Sequence, residues 1–426
     1  MRAERLAAIR AIEALRCGVP NSAVVSMLGS GQPDALLRFT TSLDLIGTTP
    51  QKEEQSTGFV IQGGFGAGKS HTLLGMQNVA LQKGFVCSKV SISKETPLYH
   101  PQKLYQEAIY SATLPDRRGA ALQEVISRVD FRSKEFADLV TWVNQCGCPQ
   151  LAATLYLLQH SRADGELVDR ITRFWSGESM GLPEIRQHLA RIPKAPDFRF
   201  PAIRARDLAL HKIQFASRLI RTAGYAGWVI LFDEIELIGC YGLFQRAKSY
   251  AEIARFLGRV KQKSPGIFSV FAVTDDFSSA ILYGKRDLNV IPTWDHIGFR
   301  DGVPSIDAVS GMDALLNGVT TLQSPTATEL QGTFERVLQL YADAYDWQPN
   351  VSNDQNGLTS TRMRQHLKKW IYSWDMRRLC DVAASIEVLE MKTNYAENLE
   401  DDTSSTEDQL VRDLADILTS PFAGTE

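Results

Sequence analysis

Residues 63–70 read Gly-Gly-Phe-Gly-Ala-Gly-Lys-Ser, which matches the pattern G-x-x-x-x-G-K-[ST] at every position. An apolar run at 58–61, rich in residues that favour strands, precedes this stretch, and a run compatible with a helix, 72–81, follows it. The order of strand, glycine-rich loop and helix is the context in which this pattern forms a phosphate-binding loop. The alternative is a glycine-rich turn that carries a surface lysine.

The residue types of this loop suit the binding of phosphate. Glycines remove side chains, so backbone N–H groups can converge on anionic oxygens, and the N-terminus of the next helix adds partial positive charge. Lys69 is expected to reach the β- and γ-phosphates, and Ser70 offers a hydroxyl group to Mg²⁺. The predicted nucleotide-binding residues are Gly63, Gly64, Phe65, Gly66, Ala67, Gly68, Lys69, Ser70 and His71.

Composition indicates an ordinary globular protein. The chain has 426 residues, enough for two or three domains, and a net charge of −3 that provides no global attraction to nucleic acid or acidic membranes. Six cysteines are too sparse for a disulfide framework, so we expect reduced thiols. No run of 18 apolar residues is present, so we expect no membrane span and a cytoplasmic location.

A second apolar run, residues 227–236, ends in carboxylates and reads Gly-Trp-Val-Ile-Leu-Phe-Asp-Glu-Ile-Glu. Such a run is typical of a buried parallel strand whose carboxyl end opens onto a site. Asp233 suits the coordination shell of Mg²⁺, directly or through water. Glu234 suits a base that orients the attacking water on the γ-phosphate. Glu236 is a weaker candidate that could instead cap the next segment.

A third predicted strand, residues 266–274, ends at Thr274, which lies 41 residues after Asp233. That separation fits one further strand–helix–strand unit. A polar residue at the tip of this strand can reach the γ-phosphate or the attacking water. The alternative is that Thr274 only ends the strand.

The spacing of these motifs predicts an insertion. Asp233 lies 164 residues after Lys69, whereas one or two strand–helix units need roughly 30–70 residues. The additional residues between Lys69 and Asp233 mostly show the periodicity of helices. We therefore divide the chain into five parts, listed here. They are an N-terminal helical segment (1–56), an ATPase core (57–96 and 206–300), a helical insertion (97–205), a helical lid (301–396) and an acidic tail (397–426).

Charge is distributed unevenly along the chain. The stretch from Arg186 to Arg221 holds nine Lys or Arg against two acids, which fits either a docking face for DNA or an acidic partner, or a solvated helical surface. We favour the solvated surface. Residues 284–312 read as irregular, and an arginine there, Arg286 or Arg300, could reach the nucleotide of a neighbouring subunit in a homo-oligomer.

Taken together, the motifs resemble the AAA+ branch of P-loop ATPases. The loop corresponds to Walker A, residues 231–234 resemble Walker B with its catalytic glutamate, and Thr274 corresponds to sensor 1. The stretch Trp-Asp-Met-Arg-Arg-Leu at 374–379 resembles sensor 2 of the helical lid, which implies that Arg377, or alternatively Arg378, contacts the phosphates. The resemblance implies an α/β fold, with helices on both sides of a parallel sheet.

A narrower resemblance is carried by residues 13–20, by Arg-Phe-Trp-Ser-Gly-Glu at 173–178 and by the long helical insertion. Together these features are similar to the ATP-binding proteins of BREX phage-defence systems, of the BrxD type, which are related to the P-loop portion of BrxC. The resemblance covers about residues 3–390. It implies a bacterial or archaeal protein that works beside a helicase or other defence components. The chain shows no evident C-terminal winged helix, which argues against direct binding of duplex DNA.

The sequence thus leads to a hypothesis and an alternative. The first is an ATPase with ATP and Mg²⁺ as ligands, in which Ser70 and Asp233 hold the metal. In it, Glu234, Lys69, Thr274 and Arg377 carry the catalysis. The alternative is a nucleotide-gated scaffold or a regulatory ATPase that turns over little without a partner.

Overall fold

The structure, a computed structural model, describes residues 2–18, 22–29, 31–48, 57–115, 121–260, 266–297, 302–349 and 363–382. Arg300 and the acidic tail at 397–426 lie outside these ranges. None of the helices in the described ranges combines the length and the apolar character that crossing a membrane requires.

A five-stranded parallel sheet forms the centre of the protein. Its strand order is β2–β3–β4–β1–β7. The strands are β1 (Thr57–Gln62), β2 (Val86–Ser91), β3 (Trp228–Asp233), β4 (Ile267–Val273) and β7 (Val319–Thr321). A separate antiparallel pair consists of β5 (His296–Ile297) and β6 (Val303–Pro304).

Helices surround this sheet and extend beyond it. Before the loop lie α1 (Arg2–Cys17), α2 (Ser22–Leu28) and α3 (Pro33–Thr48), and α4 (Lys69–Gln82) follows the loop. Between β2 and β3 lie α5 (Pro101–Tyr110), α6 (Ala121–Arg128), α7 (Lys134–Gln145), α8 (Pro149–His160), α9 (Gly165–Trp175), α10 (Leu182–Leu189) and α11 (Ala205–Thr222). After β3 lie α12 (Leu243–Phe256), α13 (Asp287–Val290), α14 (Ser305–Asn317), α15 (Ala327–Tyr345) and α16 (Met363–Cys380). The 3₁₀ segments Ile235–Cys240 and Ile291–Thr293 and the π-helical turn Ser278–Tyr283 complete this part of the chain.

The sheet separates two hydrophobic cores because alternate residues of each strand point to opposite faces. Val229 and Leu231 of β3 pack with α3 and α4 on one face. Trp228, Ile230 and Phe232 pack on the other face, in a core that extends into the helices between β2 and β3. All six residues of β3 are buried, as its continuous apolar sequence predicts.

A third core lies apart from the sheet. It joins α1 and α2, near the start of the chain, to α15 and α16, near its end. Its centre contains Ile12, Val337, Tyr341 and Ile371, all fully buried. Only α3 of the helices before β1 packs against the sheet. The domain boundaries drawn from the sequence stay a prediction, and the structure places the first two helices and the last two in one packed unit.

Most elements that the sequence predicts near the motifs are confirmed. The runs predicted as strands at 58–61, 227–236 and 266–274 appear as β1, β3 and β4, a strand predicted at 85–92 appears as β2, and the predicted run after the loop lies within α4. The interpretation of 284–312 as irregular is wrong in part, because α14 begins at Ser305. Strand β7 was not predicted. It has only three residues, and it forms by pairing with β1 rather than from a strong pattern of its own.

The contact between α12 and α14 depends on a glycine in a helix. A Cβ atom on Gly311 of α14 would lie 1.9 Å from the carbonyl oxygen of Tyr250 in α12, so only glycine permits this approach. Gly332 in α15 provides a contrast, since its nearest neighbour, the Nη2 of Arg336, would lie 4.0 Å from an added Cβ.

We therefore expect Gly311→Ala to lower the free energy of unfolding by about 1–3 kcal/mol, because the helices must separate to admit a methyl group. Gly332→Ala is the matched control. It should leave stability unchanged or raise it by about 0.5–1 kcal/mol through lower chain entropy in the unfolded state. Denaturant unfolding of the two variants measures the difference. Equal stabilities would contradict the close packing of α12 on α14.

Candidate nucleotide-binding site

The candidate site lies at the carboxyl edge of the sheet. Strand β4 pairs in parallel with β1 on one side and β3 on the other, so the ends of all three strands meet at this edge. The N–H of Gly63 donates to the carbonyl oxygen of Val273 at 3.1 Å, which attaches the start of the loop to the end of β4. Thr274 follows directly and is buried. The loop, Thr274 and Asp233 are therefore neighbours because of strand order.

The loop has the backbone conformation that its glycines permit. Gly66 and Gly68 have φ angles of 81° and 96°, a left-handed region that glycine enters without steric cost. Gly68 is also the N-cap of α4, and its carbonyl oxygen accepts a hydrogen bond from the N–H of Thr72 at 2.8 Å. The loop thus leads directly into the N-terminus of a helix of 14 residues, where partial positive charge favours an anion.

Lys69 turns inward and is only 9% exposed. Its Nζ donates to the carbonyl oxygens of Gly63 at 2.9 Å and Gly64 at 3.4 Å. The same Nζ lies 3.8 Å from Oε1 of Glu236, an ion-pair distance that is too long for a good hydrogen bond. The lysine is thus held by the loop's own carbonyl groups and by a carboxylate.

Asp233 ends β3 as a buried carboxylate, 3% exposed. Its Oδ1 accepts a hydrogen bond from the N–H of Glu234 at 3.1 Å, and its Oδ2 lies 3.1 Å from Nζ of Lys89 on the neighbouring strand β2. Carboxylate and hydroxyl oxygens are the ligands that Mg²⁺ prefers, so Asp233 and Ser70 have suitable donors for it. Lys89 balances the negative charge of Asp233 in this structure.

Glu234 has an unusual backbone conformation, with φ at 62° in the left-handed region. Non-glycine residues in this region store strain and concentrate at functional sites. The turn directs Glu234 into the cavity beside the loop. Desolvation by the surrounding atoms, together with the charge of Asp233, raises the pKa of Glu234, whereas Lys69 and Arg364 oppose this increase.

Glu236 is 2% exposed, which is less than Asp233 or Glu234. Its Oε2 has no hydrogen-bond partner among the described residues. Burial raises the pKa of Glu236 to about 7, and the ammonium group of Lys69 lowers it less than burial raises it. Glu236, the weaker candidate of the sequence analysis, is a buried acid beside the lysine of the loop.

A cavity of about 310 Å³ opens next to the loop. One wall contains the loop and α4 from Phe65 to Thr72, with Glu234 beside it. The opposite wall contains apolar side chains from helices of the third core, namely Leu15, Val24, Leu28, Met363 and Leu367. His71 connects the two walls, since its Nε2 lies 2.6 Å from the carbonyl oxygen of Gly29, and burial lowers its pKa. A polar end and an apolar end suit a phosphorylated ligand with a flat, apolar ring.

Two arginines of the described residues, Arg336 and Arg364, line the cavity, and the predicted Arg377 is not among the lining residues. The backbone N–H of Arg364 donates to the carbonyl oxygen of Gly66 at 3.5 Å, so the start of α16 lies against the loop. Arg377 is 13 residues further along α16, which is about 20 Å at 1.5 Å per residue, and it is not among the described residues that line the cavity. The alternative, Arg378, donates to the hydroxyl group of Tyr341 at 3.0 Å and stacks on Tyr345.

The stretch around Arg377 serves a different purpose in the fold. Asp375 accepts two hydrogen bonds from the guanidinium group of Arg16 in α1, at 2.9 and 3.0 Å. It also accepts one from the hydroxyl group of Tyr341 at 2.7 Å. A two-pronged arginine–carboxylate pair of this kind has a well-defined geometry. This pair joins residues 13–20, which carry part of the narrower resemblance, to residues 374–379, which resemble sensor 2, and it fixes α1 against α16.

The basic stretch from Arg186 to Arg221 is largely engaged within the protein. The engaged cations and their partners are Arg186 on the ring of Phe200, Arg204 with Asp207, Arg206 with Glu252, Lys212 with the carbonyl oxygens of Phe174 and Glu178, and Arg218 on the ring of Trp142. These contacts favour the structural interpretation of the stretch. Arg286, the other arginine proposed from the sequence, precedes α13 and is likewise not among the described residues that line the cavity.

The structure therefore brings together most of the predicted site residues. Phe65 to His71 and Glu234 line the cavity, while Gly63 and Gly64 bind the lysine, and Asp233 and Thr274 lie buried at adjacent strand ends. Sequence reasoning missed Arg364, Lys89 and the contact of Glu236 with Lys69. Lys89 contacts Asp233 because β2 pairs with β3, and this pairing is not evident from the sequence. Arg364 has no recognisable motif of its own.

Comparison with known families agrees with this geometry. The model of the family described as BREX system ATP-binding protein BrxC/D matches residues 4–135 and 203–373. Both matched segments contribute to the cavity, and Arg364 lies inside them, whereas residues 173–178 and 374–379 lie outside. The description covers BrxC and BrxD together, so the narrower BrxD type stays a prediction. Neither curated proteins nor solved structures gave a match. Because the matched segments cover most of the sequence, the chain belongs to the family of BREX system ATP-binding proteins BrxC/D.

Proposed function

We propose that this protein is an ATPase of the AAA+ type in which the cavity beside the loop binds and hydrolyses ATP. The observation that carries the proposal is the position of Glu234, an acid with a raised pKa, in the same cavity as the phosphate-binding loop. The strand order supports the AAA+ assignment, because β4 lies between the strand before the loop and the strand that ends in Asp233.

Binding would use the two ends of the cavity differently. The N-terminus of α4 and Lys69 would face the phosphates, and the apolar side chains of α1, α2 and α16 would face the base. Ser70 and Asp233 would hold Mg²⁺, which when bound neutralises the negative charge of the β- and γ-phosphates. Lys89 would then have to share the carboxylate of Asp233 with the metal ion or lose its ion pair with Asp233.

Hydrolysis would depend on the acid at the cavity wall. Glu234 would accept a proton from a water molecule that attacks the γ-phosphate, and its raised pKa would make it a better base than an ordinary glutamate. Thr274, at the tip of the middle strand, would position that water. Arg364 would stabilise the charge of the transferring phosphoryl group in the role that the sequence assigned to Arg377.

The work that ATP supports would be done with other components of the BREX system, among them a helicase. The third core suggests a route for this coupling. Helices α1, α2, α15 and α16 border the cavity and form one packed unit, so a bound nucleotide would reposition them together. This coupling also favours the nucleotide-gated scaffold as a second candidate. Direct contact with DNA through the Arg186–Arg221 stretch has weaker support, because most of its charges have partners within the protein.

The pair Lys69→Ala and Glu234→Gln tests the site. Lys69→Ala should weaken ATP binding by roughly 10- to 100-fold, because it removes a charge-assisted contact to the phosphates. Glu234→Gln should keep ATP affinity and lose about 10²–10⁴-fold in kcat, because an amide cannot accept the proton. Binding is measured with a fluorescent ATP analogue and turnover by phosphate release. Unchanged turnover in Glu234→Gln would exclude its role as base. Wild-type protein that binds ATP without turnover would favour the scaffold.

The two lid arginines give a further comparison on one helix. Arg364→Ala should reduce kcat/KM for ATP by about tenfold or more, because the cavity loses a cation at its phosphate end. Arg377→Ala is the matched control and should leave kcat/KM within about twofold of wild type, since its side chain starts about 20 Å further along α16. The opposite ranking in steady-state kinetics would return the role to Arg377.

A further inference from the structure

Glu236 is a buried carboxylate whose main compensation is the lysine of the loop. It lies in the 3₁₀ segment Ile235–Cys240, after the turn that directs Glu234 into the cavity. Its Oε1 is 3.8 Å from Nζ of Lys69, and its buried Oε2 has no hydrogen-bond partner in the described part of the chain. Burying an isolated ionised carboxylate costs free energy, so ionised Glu236 needs the positive charge of Lys69 beside it.

The same lysine is needed for ATP. In a P-loop the lysine reaches the β- and γ-phosphates, whereas here Nζ is directed to the carbonyl oxygens of Gly63 and Gly64 and to Glu236. A single ammonium group cannot hold both the phosphates and this resting arrangement at full strength. When Lys69 turns to the nucleotide, Glu236 loses its closest cation while Asp233 and Glu234 stay nearby as like charges.

We propose that Glu236 is the resting counter-ion of Lys69, and that binding of ATP draws the lysine away and leaves Glu236 to take up a proton from solvent. The step is a simple protonation, in which a carboxylate and a proton from water or buffer give a carboxylic acid. Glu236 is thereby a positioning residue that opposes nucleotide binding when ionised. This inference rests on ATP binding at the loop, as proposed above, and does not require hydrolysis.

The direction of the pH effect follows from the groups around Glu236. The pKa of Glu236 is about 7. Burial raises it most, Glu234 and Asp233 raise it further, and Lys69 and a backbone hydrogen bond lower it. Withdrawal of Lys69 removes the lowering contribution, so the pKa rises when ATP binds. Below pH 7 Glu236 is already neutral and ATP meets no opposition. Above pH 7 it is ionised, and each molecule of ATP must bind together with a proton.

The first test compares ATP affinity at pH 6.5 and pH 8 with a slowly hydrolysed analogue and Mg²⁺ present. Wild-type affinity should fall roughly five- to tenfold over this range, as expected for a group with a pKa of about 7 that becomes protonated on binding. Glu236→Gln should bind more tightly than wild type at pH 8 and lose most of this pH dependence. Glu335→Gln, an exposed glutamate of α15, is the matched control and should keep the wild-type slope.

The second test needs no variant. Calorimetric titration of wild-type protein with the same analogue at pH 8, in two buffers of different ionisation enthalpy, counts the protons exchanged. The phosphate groups contribute little there, because their second pKa is about 6. His71 is neutral because burial lowers its pKa. We expect net proton uptake. Proton release or no exchange, or a Glu236→Gln protein that binds more weakly than wild type with the same slope, would overturn the inference. Absence of binding even at pH 6.5 would overturn the proposed site as well.

Discussion

The parallel pairing of β1, β4 and β3 is the constraint on which the candidate site depends. Register fixes which residues end together: Gln62 lies opposite Val273, and Phe232 lies opposite Phe271. The loop, Thr274 and Asp233 then follow at one edge although 171 residues separate Gln62 from Asp233 in the chain. No local interaction could bring them together, because most of the chain between them forms helices that pack in a core shared with one face of the sheet.

Much of this arrangement could be predicted from the sequence because it depends on local patterns. A glycine-rich loop between a strand and a helix has few alternative folds, and an apolar run that ends in Asp-Glu indicates a buried strand with an open end. The strand order, by contrast, is a tertiary property. The three residues of β7 have little propensity by themselves, and the association of α1 with α16 depends on contacts between opposite ends of the chain, such as Arg16 with Asp375.

The position of the lid arginine shows where local reasoning stops. Because residues 374–379 resemble sensor 2, Arg377 or Arg378 was predicted to contact the phosphates. In the structure this segment fastens α1 to α16. Arg364 meets the loop because α16 begins beside Gly66 and leads away from it. Each residue of a helix advances 1.5 Å along the axis, so Arg377, nearly four turns after Arg364, cannot reach the position that Arg364 occupies. The direction of α16, which the composition of the segment does not reveal, therefore decides that Arg364 and not Arg377 lies beside the loop.

Charge balance at the sheet edge explains why the site needs these partners. Three carboxylates, Asp233, Glu234 and Glu236, lie close to three cations, Lys69, Lys89 and Arg364. Asp233 and Glu236 are buried, and buried charges persist only when they are compensated, so these two acids depend on the nearby cations Lys89 and Lys69. A triphosphate adds negative charge to a site that is already balanced, and it must therefore bring a cation, capture the existing cations or cause an acid to become neutral. Asp233 and Ser70 could hold the added cation, and Lys69 and Arg364 are the cations that could be captured. Glu236 is the acid that could become neutral. The buried acid is thus part of the same electrostatic problem as the phosphate-binding loop.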